Sequence, residues 1–188
     1  MTSLKSCWQT LSLRTVYDNP WIRVEEHAVI NSSGGESRYG KICFKNRAVG
    51  ILALDHADNL CLVGQHRYTL GEYSWELPMG GAPMEEDLLA AAKRELREET
   101  GLVAERWEEL MRLHTSNCVT DEVGVVYLAS ELTQGPPDLG ETEDLQVQAL
   151  PFAEALQWVL QGRITDAISV AAILRLAAER ASRGGQGQ

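Results

Sequence analysis

Glu95, Glu98 and Glu99 fall within two turns of "LLAAAKRELREET", a segment rich in strong helix formers. With Glu95 set at 0° on a helical wheel, Glu99 lies at about 40° and Glu98 at about 300°, so the three carboxylates share roughly a 100° sector. Leu88, Leu89, Ala92 and Leu96 lie beside it at about 20° to 120°, and Lys93, Arg94 and Arg97 occupy about 160° to 260°. A plain surface helix gains from opposite charges at i, i+4, whereas Glu95 and Glu99 at that spacing repel by roughly a few tenths of a kcal/mol; only Arg94 and Glu98 are favourably placed. A divalent cation on the acidic sector reverses this balance, and oxygen ligands select hard ions such as Mg²⁺ or Mn²⁺ over Zn²⁺. Taken alone, the helix leaves a solvated acidic face as the alternative.

The segment before the helix, "WELPMGGAP", reads as a strand end running into a Pro and Gly turn, where glycine lets the backbone approach a ligand closely. Gly101 stops the helix as a C-cap. Upstream, "LRTVYDN", "WIRVEEHAVI" and "SRYGKICF" read as strands, with a hairpin signal at Asn31 to Gly35. "AVGILALDHADNLCLVGQHRY" reads as a hairpin or two adjacent strands around "DHADN". Downstream, "EVGVVYLASEL" is a strand and "QGPPDLGETED" a loop. "FAEALQWVLQG" and "DAISVAAILRLAAERA" are helices, ended by Gly162 and by the Gly-rich tail. Strands on both sides of a central helix, with helices at the end, imply a mixed sheet sandwiched by helices.

The 188 residues suffice for one ordinary domain or a domain with a small appendage. A formal charge of −10 argues against nucleic acid as a partner, because that binding needs Lys and Arg to neutralise phosphates. Cys7, Cys43, Cys61 and Cys118 form no C-x-x-C pair, which favours reduced thiols over a disulfide framework. The start "MTSLKSCWQT" lacks an apolar targeting region, and no run offers the ~20 apolar residues of a membrane span. The expectation is a cytoplasmic protein that engages no membrane.

Gly80, Glu86 and "RELREETGL" (Arg94 to Leu102) match the pattern G-x5-E-x7-R-E-U-x-E-E-x-G-U, with U aliphatic, at every specified position. In this the chain resembles the Nudix hydrolases. "YDNPWIRV", "QHRY", "WELPMG", "TSNCVTDE", "GETEDLQV" and "GRITDAISVAAIL", in this order, are similar to the branch that hydrolyses ADP-ribose and nucleoside diphosphate sugars. The resemblance covers about residues 8 to 176. It implies an α/β (α+β) fold, a Nudix α/β/α sandwich with a mixed β-sheet over 46–188. A small N-terminal antiparallel layer over 1–45 would dimerise the chain and close the site.

By the same resemblance, Glu95 and Glu99 would be the main Mg²⁺ ligands, with Mn²⁺ as a substitute. Glu98 would be a further ligand, and the carbonyl of Met79 would complete the site. Glu86 would stand behind them, and Arg94 would orient the glutamates by ion pairing. Glu141 in "DLGETED" would be the general base, with Glu143 second. Arg67 would contact the substrate phosphates, Glu122 the nucleoside or ribose, and Trp21 and Tyr39 the base. Many relatives that prefer ADP-ribose carry a Pro in the region where this chain has Asn117 and Cys118, which gives weight to a broader range that includes GDP-mannose. Triphosphate or dinucleoside polyphosphate hydrolysis, and a non-catalytic nucleotide-sugar-binding regulator, are the competing functions. The intact set of box glutamates argues against the regulator.

Overall fold

The computed structural model describes residues 7–135 and 145–185. The chain divides into two compact units: one runs through Asn46 and takes in His114–Glu122, the other holds Arg47–Leu113 and the chain from Val123 on.

In the first unit, β1 (Gln9–Asp18), β2 (Ile22–Ile30) and β3 (Glu36–Phe44) form an antiparallel meander in that order. The Asn31 to Gly35 signal becomes a tight hairpin: Asn31 Oδ1 accepts the Ser33 and Gly35 amides, and Gly34 takes the left-handed φ of 84° that favours glycine. Asn19 does the same for the first turn, accepting the amides of Trp21 and Ile22. His114–Glu122 returns along β3, where the Ile42 amide donates to Val119 O and the Asp121 amide to Ile42 O. Strand β1 is an edge, exposed along its length, with Leu11, Leu13, Val16 and Tyr17 all facing solvent. The interior of this sheet is partly ionic. Buried Glu25 accepts Arg23 Nε at 2.7 Å and stands 2.9 Å from His27 Nε2. The His27 hydrogen bond, followed by that of Arg23, lowers its carboxyl from the ordinary 4.5 to about 2.

The second unit holds a four-stranded sheet of order β7-β4-β9-β8, built from β4 (Asn46–Ala53), β7 (Met79–Pro83), β8 (Leu102–His114) and β9 (Val123–Gln134). β4 and β9 run parallel, from Ala48 opposite Gly124 to Ala53 opposite Ala129. An antiparallel sheet of order β10-β5-β6 joins β5 (Asn59–Arg67), β6 (Glu72–Glu76) and β10 (Gln146–Pro151). Three helices complete it: α1 (Leu88–Thr100), α2 (Phe152–Leu160) and α3 (Ala167–Gly184).

β4 shows why its sequence is almost wholly apolar. Val49, Ile51 and Ala53 pack with Ala91, Ala92 and Leu96 of α1, while Leu52 packs with Ala155 of α2 and Ile168, Ala172 and Ile173 of α3. A strand covered by helices on both faces has no polar side to show. Helix α3 comes unusually near: a Cβ on Gly50 would lie 2.9 Å from Ile168 Cγ2, and one on Gly124 3.2 Å from Ile168 Cδ1.

Three elements differ from the sequence expectation. The run expected to form a hairpin or two adjacent strands splits between sheets, with an antiparallel Leu54–Leu60 bridge where β4 leads over to β5. β9 already pairs with β4, and β10 and β6 flank β5. The Pro and Gly turn before the helix contains a real strand, β7. Residues 102–114, unmarked in the sequence, form the long strand β8; five charged side chains interrupt it, and only Ala104 and Leu110 are buried. No helix among the described residues is long and apolar enough to cross a membrane.

Candidate active site

The site assembles where β7 runs into α1. Asp87 caps the helix by accepting the Ala90 amide at 2.9 Å, and Gly101 ends it at φ 71°. This fixes the register in which the glutamates face β7. The Met79 amide donates to Glu99 Oε2 at 2.9 Å, and Glu99 is only 6% exposed. Gly80 lies against Glu95 so closely that a Cβ there would fall 2.1 Å from Glu95 Cδ. Only glycine allows strand and carboxylate to meet in this way.

One guanidinium gathers the rest. Arg94 Nε and Nη2 donate to the two oxygens of Glu86 at 3.2 and 3.1 Å. Its Nη1 donates to Glu95 Oε1 at 2.7 Å and to Glu98 Oε2 at 3.0 Å, and Nη2 also reaches the Gly81 carbonyl at 3.1 Å. These contacts, the Glu86 hydrogen bond first, hold Arg94 well above the ordinary arginine range. On the wheel Arg94 sits at the border of the acidic sector, so the segregation of charges gives way there to a shared network. The side chains of Glu95 and Glu98 are 13% and 37% exposed, so the carboxylates run from the core at Glu99 to solvent at Glu98.

Three carboxylates share the Arg94 guanidinium, and that of Glu99 is held by the Met79 amide. The donors are oxygens from Glu95, Glu98 and Glu99 beside the bare backbone of Gly80, and this chemistry fits a hard divalent ion. Among the described residues no three His, Cys, Asp or Glu side chains already converge to hold one; Arg94 stands among them instead.

Arg67 ends β5. It stands opposite Glu72 in the ladder, yet its guanidinium grips the buried Glu76, with Nε at 2.9 and 3.2 Å from the two oxygens and Nη2 bonded to Oε2. The Glu76 hydrogen bond raises the Arg67 pKa, and Asp166 and Glu99 add attraction, which places Arg67 in the field of the glutamate cluster. Glu76 was not singled out by the sequence; its signal is an acid set between Trp75 and Leu77 in an otherwise apolar strand end. Ser169 was also missed. Buried in the first turn of α3, it accepts the Leu77 amide at 2.9 Å and donates to Asp166 Oδ2 at 2.8 Å, tying the strand ahead of Met79 to that helix.

Trp21, Tyr39 and Glu122 belong to the first unit. Trp21 sits in the turn between β1 and β2, 67% exposed. Tyr39 stands edge-on to Trp8 with centroids 5.6 Å apart, donates its hydroxyl to Cys118 O, and lines a hollow of about 290 Å³ with Trp8, Thr10, His27, Val29 and Lys41. Glu122 accepts the Thr115 hydroxyl. Glu141 and Glu143 lie outside the described residues.

Comparison with known proteins assigns the class. Residues 44–171 match the NUDIX domain and residues 8–42 the nucleoside diphosphate sugar hydrolase N-terminal domain, so the chain belongs to the Nudix family. Among curated relatives, the ADP-ribose pyrophosphatase of Mycobacterium tuberculosis is 42% identical over 68% of this chain and 63% of its own length. The methanol dehydrogenase activator of Bacillus methanolicus is 33% identical over 71% of this chain and 74% of its own. A crystal structure of an ADP compounds hydrolase superimposes over 100% of this chain and 99% of its own with a TM-score of 0.84; at 23% identity it speaks for the fold.

Proposed function

We propose that this chain is a Mg²⁺-dependent pyrophosphohydrolase that cleaves the diphosphate of ADP-ribose or related nucleoside diphosphate sugars, giving a nucleoside monophosphate and a sugar phosphate. The observation that carries the reading is the cluster of Glu86, Glu95 and Glu98 on Arg94, beside Glu99 and Gly80. Glu95, Glu98, Glu99 and the Met79 carbonyl would hold the metal, whose chemistry is to neutralise diphosphate oxygens and acidify a water. Mn²⁺ would substitute.

The chain's own groups supply the rest. Arg94 keeps Glu95 and Glu98 aimed while Glu86 anchors Arg94. Arg67, held flat by Glu76, offers its remaining donors to the phosphates. Glu141, with Glu143 second, takes the proton of the attacking water as general base. Trp21 and Tyr39 stack the base, and Glu122 engages the nucleoside or ribose. The N-terminal layer, residues 1–45, pairs two copies into a homodimer, a role favoured by the exposed apolar row on β1. A cytoplasmic location accords with reduced cysteines. The activity named for the mycobacterial relative favours ADP-ribose, while Asn117 and Cys118 in place of a proline favour a wider range that includes GDP-mannose.

The test is kcat/KM for ADP-ribose, ADP-glucose, GDP-mannose and UDP-glucose under Mg²⁺ and under Mn²⁺. Release of a nucleoside monophosphate from at least one is expected, and none from any would refute the reading. Glu141→Gln should spare metal binding and lower kcat by about 10²- to 10⁴-fold, the range for a general base; near wild-type turnover removes Glu141 from the role.

A further inference from the structure

Arg47, near the start of β4, turns its guanidinium onto the loop that enters α1. Its Nη2 donates to three main-chain carbonyls, Pro83 at 3.0 Å, Met84 at 3.1 Å and Glu86 at 2.6 Å. The Glu86 amide closes the same turn by donating to Pro83 O at 3.0 Å. Arg47 Nε is buried and has no hydrogen-bond partner among the described residues.

Two aspects of this arrangement work against stability. A buried donor without an acceptor is unfavourable. A cation beside the first turn of a helix also meets the positive end of the helix dipole, offset here by the Asp87 cap. What Arg47 achieves is geometric. The turn it grips carries Glu86, the Glu86 carboxylate receives two donors from Arg94, and Arg94 aims Glu95 and Glu98.

We propose that Arg47 is a positioning residue for the metal-binding carboxylates, fixing the Pro83 to Glu86 backbone so that Glu86 and Arg94 hold Glu95 and Glu98 in register. The proposal rests on the metal-dependent reading above. Arginine suits the task because its long stem carries one NH₂ group within reach of all three carbonyls, and the planar head fixes the direction of its two N–H bonds. Lysine carries three donors on a stem one bond shorter, so it reaches the carbonyls incompletely.

The test compares wild type, Arg47→Met and Arg47→Lys in three measurements: Mn²⁺ affinity from the free-ion electron paramagnetic resonance signal, hydrogen exchange of the Glu86 amide without metal, and Tm. Arg47→Met should weaken Mn²⁺ binding about tenfold or more, as loss of a group behind the ligands does. It should also speed Glu86 exchange about tenfold, since the turn loses its clamp. Arg47→Lys should fall between, and it serves if the Met variant does not fold. A lowered Tm with Mn²⁺ affinity within about twofold of wild type identifies a purely structural role and overturns the proposal. Unchanged Glu86 exchange does the same. If wild type itself binds no Mn²⁺ and hydrolyses no nucleotide sugar, the functional reading fails, while the exchange comparison still decides whether Arg47 holds the turn.

Discussion

Two ionic clusters in this chain use the same ingredients in opposite proportion. Around Arg94, one guanidinium serves Glu86, Glu95 and Glu98, with Glu99 close by, so acid is in excess. Around Glu25, one carboxylate is served by Arg23 and His27, so donors are in excess. The second cluster is complete and ties β2 together within its sheet. The first shares one guanidinium among three carboxylates, and its members are partly buried and well bonded. What separates the candidate site from the structural ion cluster here is how many carboxylates share one cation, and the presence of charged residues alone does not reveal it.

The comparison breaks most visibly through Glu99. Glu99→Gln should lower kcat by at least about a hundredfold, the scale of removing one preorganised electrostatic group, and should weaken Mn²⁺ binding. Glu25→Gln should leave kcat nearly unchanged. Steady-state kinetics on the two variants checks both. Gly80→Ala comes next. Its Cβ has no room beside Glu95, so displacement of that carboxylate should cost about 10- to 100-fold in metal affinity, with the helical circular dichroism unchanged.

A smaller effect separates the clusters in the absence of substrate. Mn²⁺ at a hundred times its Kd should stabilise wild type by about 2.7 kcal/mol, seen as a rise in Tm that Glu25→Gln retains and Glu99→Gln loses. The smallest effect is in acid. The Glu25 carboxyl is depressed from 4.5 to about 2, so its stabilisation is fully present above pH 4.5 and is lost as pH falls toward 2. Glu25→Gln should therefore flatten the fall of Tm between those pH values. An unchanged slope would show that the Glu25 contacts contribute nothing to folding.

The acidic cluster was legible in the sequence because its spacing is local: Glu95, Glu98 and Glu99 lie on one helix whose C-cap, Gly101, is also a short-range signal. The hairpin at Asn31 to Gly35 was legible for the same reason. β8 was hidden because Glu105, Arg106, Glu108, Glu109 and Arg112 mask the alternation of Ala104 and Leu110. The separation of β4 from β5 depends on which strands compete for their edges, and β9 and β10, which take one edge of each, lie far away in sequence. The Arg67–Glu76 pair and the Ser169–Leu77 tie are likewise long-range or diagonal contacts, invisible to any spacing rule. Arg47 looked like an ordinary residue at the head of an apolar strand, and its three carbonyl partners become evident only when the loop returns to it.

The near approach of α3 to the parallel pair β4 and β9 gives the site a remote control. Ile168 seats over Gly50 and Gly124, and its neighbour Ser169 holds the Leu77 amide two residues ahead of Met79. A methyl group added at Gly50 would lift the helix and pull on the backbone that the Glu99 carboxylate grips. Gly50→Ala, and more weakly Gly124→Ala, should therefore lower Mn²⁺ affinity, which a titration of the two variants would check. A survey of variants that scored distance from the glutamates alone would dismiss both positions as silent.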